Sequence, residues 1–327
     1  MSEGRGNTMT DARNPFNLKD GETMYASAVW PGLMLEWKPG HLLLEFPAEA
    51  EGLSSAVYGG GMVRLKRAVN QFVSRDYECS NPVRDMENKL REWGYPLEGC
   101  AGLMTAVPLE HAAVAEEDTG SAGIFCCVTA ASGNAARAGV ARNVLAAYRP
   151  GTINIMLGID GRLTPSAMVN AVMTAAEAKA AALADLGVTD PENGLIATGT
   201  TTDAVVLAVS GSGRYGAEHV YAGTATDLGG AIGRLVYAAV TASLGSVAAA
   251  QTEKVGERPS GVVSERPSGV VSVKPSVKVS GKTSEKPSEK LSGKVSVWSS
   301  APEPVDSQPG PGDGCSPAAE PARKGSQ

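Results

Sequence analysis

The sequence predicts an α/β (α+β) fold, a single domain in which helices pack on a mixed β-sheet, followed by a disordered C-terminal tail. Three observations predict it. Short apolar, β-branched runs recur between residues 33 and 209, at lengths that suit buried strands. Two longer segments, residues 165–186 and 227–249, carry helical patterning and boundary signals. The composition then changes sharply near Ala250, from alternating apolar segments to Pro, Ser, Lys, Gly and Val. Aromatic residues are only 5% of a chain that is 43% hydrophobic. The core is therefore expected to be built from small and aliphatic side chains.

In chain order, residues 1–22 are polar and read as a flexible segment, and residues 23–250 form the folded domain. Residues 33–37 and 41–46 flank Pro39-Gly40, a turn signal, and predict a hairpin. Residues 54–58 form a further candidate strand, ending in three glycines. Residues 62–73 fit either a helix or a strand. Residues 84–93 predict a helix closed by Gly94, with Pro96 beyond it. Residues 100–107, 123–130, 152–159 and 204–209 read as buried strands. The clearest helix, residues 165–186, has Thr164 as N-cap, Pro165 in its first turn and Gly187 as its stop. Val169, Val172, Met173, Ala176, Ala180 and Leu183 are expected on its apolar face, and Asn170, Thr174 and Glu177 together on the opposite one. Beyond residue 250, ERPSGVVS occurs twice in succession at residues 257–272. Such a segment buries too little apolar surface to offset its ordering entropy, so a solvated tail is expected.

Composition excludes several functions. A net charge of −6 gives no electrostatic footprint for nucleic acid over the whole surface. The five cysteines, Cys79, Cys100, Cys126, Cys127 and Cys315, include no CxxC pair, which argues against a disulfide framework or a zinc site. Cys126 and Cys127 should point to opposite faces of one strand. The N-terminus lacks an apolar signal-peptide core, and residues 231–250 are too weakly hydrophobic for a membrane span. The expectation is a cytoplasmic protein with no membrane span and no bound metal. His41, His111 and His219 are scattered without ligand spacing.

No GxSxG, HExxH or complete phosphate-binding loop occurs. Gly281-Lys282-Thr283 resembles only the end of such a loop and lies in the tail. GSGRYG at residues 211–216 is a GxGxxG match after a strand, and nucleotide binding there is an alternative reading. It would need a helix to begin at the loop; a hairpin turn is the competing one. More informative are glycine-rich polar stretches at the ends of buried elements: residues 129–139, 151–160, 197–203 and 221–229, together with the Asn170, Thr174 and Glu177 stripe. Small residues let a ligand approach the backbone, and short amides and hydroxyls supply donors and acceptors. The same residue types also serve as turn formers, so the residues alone stop at a polar pocket of unknown ligand.

Taken in order, LSSAVY (53–58), GLMTA (102–106), NAARAG (134–139), GTINIMLGID (151–160), AMVNAVMTAAEAKAAAL (167–183), ATGTTTDA (197–204) and YAGTATDLG (221–229) resemble the adenosylcobinamide amidohydrolase family. The resemblance spans roughly residues 31–244. It departs from the family pattern at Ala176, where TATEAK is usual, at Thr201, where a second glycine is usual, and at Ala131. Ala176 is expected on the apolar face, where the change should be tolerated; Thr201 would matter if the backbone there required a positive φ.

The resemblance implies hydrolysis of the amide joining aminopropanol to the corrin ring of adenosylcobinamide, with adenosylcobyric acid and 1-amino-2-propanol as products. It implies a corrinoid as substrate and no cofactor, in line with the absence of an Asp-x-His-x-x-Gly pattern. A corrinoid-binding protein without hydrolysis is a second alternative. The catalytic candidates are Glu177 or Asp203 as general base, with Thr200 and Thr202 as nucleophile or donor. Asn134 and Asn154 are candidates for the oxyanion, Asn170 and Thr174 for peripheral amides, and Thr224 for substrate binding. Lys179 is expected in a buried ion pair.

Overall fold

The structure, a computed structural model, describes residues 11–16, 21–77, 81–142 and 152–256, with side chains as far as residue 252. Cys79, Cys315, Gly151, the ERPSGVVS repeats, the Gly281 segment and most of the N-terminal segment lie outside the described residues.

The strands, in order, are β1 (Met24–Ala26), β2 (Met34–Lys38), β3 (His41–Ser54), β4 (Gly61–Phe72), β5 (Cys100–Thr105), β6 (Ala113–Asp118), β7 (Gly123–Ala130), β8 (Ala135–Ala136), β9 (Ile153–Asp160), β10 (Arg162–Leu163), β11 (Gly199–Thr200), β12 (Ala204–Val209) and β13 (Glu218–His219). The helices are α1 (Pro82–Glu92), α2 (Pro165–Asp185) and α3 (Asp227–Gly256). Nine strands form one mixed sheet in the order β1-β2-β3-β12-β9-β7-β6, with β4 and β5 branching from β3. Pairing is parallel between β9 and β12 and between β4 and β5, and antiparallel elsewhere in this sheet.

The sheet curls because β3 serves two sets of neighbours. Its first half pairs with β2 and its last residues with β12, while β4 follows both parts. The register breaks between Glu45 and Ala50, around Pro47. A proline cannot donate to the ladder and is accommodated at such a bulge. The curl encloses a core of Leu35, Leu42, Leu44, Leu65, Leu103, Phe125, Met156 and Val206. The other face of β7, β9 and β12 is covered by α2 and α3, while α1 packs on β4 and β5 through Met86 and Leu90. Thus β7 and β9 are buried at every position, as strands covered on both faces must be. Cys126 and Cys127 belong to the two different cores.

The hairpin around Pro39-Gly40 is present as β2 and β3. Residues 62–73 resolve to the strand β4. Two expectations are corrected. Residues 54–58 do not form a separate strand: β3 runs on to Ser54, and Tyr58 makes only an isolated bridge to Gly102. Helix α1 starts two residues earlier than predicted, with Pro82 in its first turn and the Asn81 side chain accepting from Arg84 N. That Asn-Pro pair is a start signal.

Helix α2 has its predicted cap, Thr164, which accepts from Ala167 N at 3.2 Å, and Gly187 at φ +65° beyond its end. Its faces are not those expected. Ala167, Ala171, Ala175, Ala178 and Ala182 are buried, whereas Val169 and Met173 are half exposed and Ala176 is exposed. Close approach to the sheet and to α3 selects the smallest side chains, not the most hydrophobic ones. Helix α3 is long and apolar enough to cross a membrane by length and composition, with a mean hydropathy of 1.4 over an 18-residue stretch within Asp227–Thr252. In the fold its stripe of Leu228, Ile232, Leu235, Val236 and Val240 is buried in the core shared with α2 and the sheet.

Candidate active site

The ends of β7, β9 and β12 meet beside α2. There the two-residue strands β8 and β11 pair antiparallel, with Thr200 opposite Ala135. Between this ribbon and α2 lies a cleft of about 780 Å3, lined by Arg137, Arg142, Glu177, Lys179, Thr200, Thr201 and Asp203 among others. Asp190 braces one wall. Its fully buried carboxylate accepts from Arg137 N and Asn193 Nδ2, both at 2.9 Å, and pairs with Arg142.

Asp203 is the most heavily bonded group in the cleft. Its Oδ1 accepts from the Thr200 hydroxyl and from Ile153 N at 3.0 Å. Its Oδ2 accepts from Thr200 N at 2.9 Å and from Lys179 Nζ at 2.5 Å. The Lys179 and Asp203 side chains are only 14% and 13% exposed. Two backbone amides, a hydroxyl and an ammonium thus fix this carboxylate in orientation. Gly199 makes room for the pair: a Cβ there would lie 2.8 Å from Lys179 Nζ and closer still to Asp203 Oδ2. Glu177 is exposed on the same cleft.

Asn134 stands behind the threonines. Buried to 4% exposure, its Nδ2 donates to Thr201 Oγ1 at 2.8 Å and Thr202 Oγ1 at 3.3 Å. Its Oδ1 is buried and has no hydrogen-bond partner among the described residues. Thr201 N returns a bond to Asn134 O at 3.2 Å. Asn154 lies deeper. It does not line the cleft but joins an interior network, donating to Asn70 Oδ1 at 2.9 Å and Met104 O at 2.8 Å. Thr152 connects it to the site, donating to Asn154 Oδ1 at 3.3 Å and Thr202 O at 2.8 Å.

The structure therefore brings together Glu177, Thr200 and Asp203 on one cleft, with Thr202 and Asn134 beside it and Asn154 one layer below. It does not bring Asn170, Thr174 and Thr224 there. Thr174 is buried and donates to Ala222 O at 2.8 Å, tying α2 to the loop before α3. Asn170 is half-buried one turn earlier on α2. Thr224 is exposed in the loop before α3, where the neighbouring Thr226 hydroxyl accepts from Gly229 N at 2.9 Å. The expected single polar stripe thus splits into a structural half and a cleft half.

The GSGRYG loop starts no helix; α3 begins only at Asp227. Its Ser212 Oγ at 2.6 Å and Arg214 at 3.2 Å, with Ser210 Oγ just before the loop at 2.8 Å, are bonded to buried Asp160. Nor is it a hairpin, since β13 pairs in parallel with β10. Among the described residues no cluster of three metal-ligating side chains occurs. Cys100, Cys126 and Cys127 are buried free thiols, and burial pushes the Cys100 and Cys127 thiols up to about 12.

Lys179 sits in the expected ion pair, but its partner is the candidate catalytic Asp203. The Gly199 clearance and the Asp190 brace were not anticipated. The glycine at 199 in ATGTTTD was the available signal. Asp190 had only a local turn signal in Asp190-Pro191-Glu192-Asn193-Gly194, because the partners that make it a brace, Arg137 and Arg142, lie about fifty residues earlier.

Residues 34–252, more than half of the chain, match the adenosylcobinamide amidohydrolase family. A relative named adenosylcobinamide amidohydrolase from Methanosarcina mazei is 32% identical over 61% of this chain and 90% of its own length. A second of the same name, from Halobacterium salinarum, is 31% identical over 65% of this chain and 88% of its own length. The cleft between α2 and the β8–β11 ribbon falls within the matched span, and the chain belongs to the adenosylcobinamide amidohydrolase family.

Proposed function

We propose that this protein hydrolyses the amide joining aminopropanol to the corrin ring of adenosylcobinamide. The products are adenosylcobyric acid and 1-amino-2-propanol, and the role is salvage of incomplete corrinoids for coenzyme B12 synthesis, in the cytoplasm. Beside the family membership, one observation carries the reading: a threonine hydroxyl, Thr200, is bonded to a fixed carboxylate, Asp203, on the wall of an open cleft.

In this reading the Thr200 oxygen attacks the amide carbonyl carbon while its proton passes to Asp203. The C–N bond then breaks, and the leaving nitrogen takes that proton, releasing 1-amino-2-propanol. Water attacks the resulting Thr200 ester, giving its proton to Glu177. The ester C–O bond breaks, the acid product leaves, and the freed Thr200 oxygen takes back the proton held by Glu177, which restores the site. The Thr201 hydroxyl, whose oxygen accepts from Asn134, is a donor for the oxyanion.

Incubation with adenosylcobinamide and mass detection of 1-amino-2-propanol tests the activity. Thr200→Val and Asp203→Asn are each expected to lower kcat/KM by about 10² or more, the usual size of a lost nucleophile or base. Wild-type turnover by both variants would remove this site from the chemistry. Tight cobinamide binding without release of the amine would instead favour a non-catalytic corrinoid-binding protein.

A further inference from the structure

Stability alone does not account for the ion pair between Lys179 and Asp203. Both side chains are largely withdrawn from water, and such pairs are often replaceable by packed apolar groups at no cost. The fold nevertheless makes room for this one. Gly199 is not among the glycines that require a positive φ, so no backbone conformation demands glycine there. What demands it is the clearance for Lys179 Nζ and Asp203 Oδ2, both of which a Cβ would overlap. Helix α2 carries Lys179 to the cleft between two small neighbours, Ala176 and Ala180. The ammonium bonds to one carboxylate oxygen while the Thr200 hydroxyl bonds to the other.

We propose that Lys179 is a positioning residue, holding Asp203 so that Oδ1 faces the Thr200 hydroxyl and makes that hydroxyl reactive. The inference rests on the hydrolase reading for its substrate but concerns the reactivity of Thr200 itself. Without the ammonium, Oδ2 keeps only the Thr200 N–H and Oδ1 only the Ile153 N–H and the hydroxyl, so the carboxylate loses its one charged partner and is held less firmly against the hydroxyl. Misplacement of a reacting group by about 1 Å can cost on the order of 10²-fold in rate. An ion pair that served only to stabilise the domain would shift the melting temperature and leave turnover of the folded fraction unchanged.

The test has two readouts on the full-length chain: kcat and KM for adenosylcobinamide, and acylation of Thr200 by a β-lactone, located by peptide mass. Lys179→Met is expected to lower kcat by about 30-fold or more at nearly constant KM, the pattern of a lost positioning interaction. Its Thr200 labelling should fall in parallel. Lys179→Arg, which keeps the cation, should recover a substantial part of both. Gly199→Ala should reproduce the Lys179→Met defect with the lysine still present. Wild-type kcat and labelling in folded Lys179→Met would overturn the proposal. If that variant does not fold, unchanged labelling in Gly199→Ala would overturn it. A wild-type protein that labels at Thr200 but releases no amine would defeat the hydrolase reading, while the labelling series would still decide the role of Lys179.

Discussion

Asn134 shows how much of this site depends on residues that need not touch substrate. One amide nitrogen reaches the hydroxyl oxygens of both Thr201 and Thr202, so the protons of those hydroxyls must point elsewhere. Asn134→Ala is expected to lower kcat/KM about tenfold, because the hydroxyls lose their common anchor. Asn134→Asp, which as a carboxylate cannot donate, should do the same; steady-state kinetics on both variants checks it. The stretch 197–203 and Glu177 stood out in sequence as polar residues beside small ones, but such residues also form turns, and their meeting on one cleft followed only from the fold. The ion pair of Lys179 could be foreseen, but its partner could not, since Asp203 lies on another element. Thr201 departs from the family glycine, yet the glycine that the geometry requires is the retained Gly199.

At the scale of elements, α2 was correctly bounded and wrongly rotated. Its low amphipathicity leaves two candidate faces, and sequence alone favours the one with larger side chains. The fold uses the other, because alanines at 167, 171, 175, 178 and 182 allow close packing on the sheet and on α3. Met173→Lys should therefore leave stability within about 0.5 kcal/mol, as for other exposed positions. Ala175→Leu should cost roughly 1–3 kcal/mol through overpacking. Urea unfolding of the two variants checks this pair. Strand β3 was half legible: the hairpin turn predicted its start, but its continuation past Pro47 was hidden, because a proline inside an apolar run argues against a strand.

Across the whole molecule, the mixed α/β class followed from run lengths, but the parallel pairing of β9 with β12 did not. Nothing local in either strand encodes its neighbour. What holds the curled sheet together near the site is polar as well as apolar. Asn70, Thr129, Thr152 and Asn154 form a buried chain joining β4 to β7 and β9. Asn154→Ala strands Asn70 Oδ1 and Met104 O without a donor and should cost about 1–3 kcal/mol, read by thermal melting. The thiols give a pH signature. Cys100 and Cys127 have thiols raised from 9.0 to about 12 by burial. The unfolded chain therefore releases these protons first, and their contribution to stability, complete below pH 9, is lost as pH rises toward 12. The urea midpoint should fall over that window, and Cys127→Ala should make the fall shallower.

The division of α2 into an inward face of alanines and an outward face that carries the chemistry has an evolutionary consequence. The inward positions can neither grow nor take up charge without forcing the helix off the sheet. The outward positions that do not line the cleft, such as Val169 and Met173, are at liberty to drift. A saturation library across residues 166–184, scored by soluble expression and then by amine release, should show the two constraints separating cleanly. The inward alanines at 167, 171, 175, 178 and 182 would fail the first screen and the two charged residues only the second.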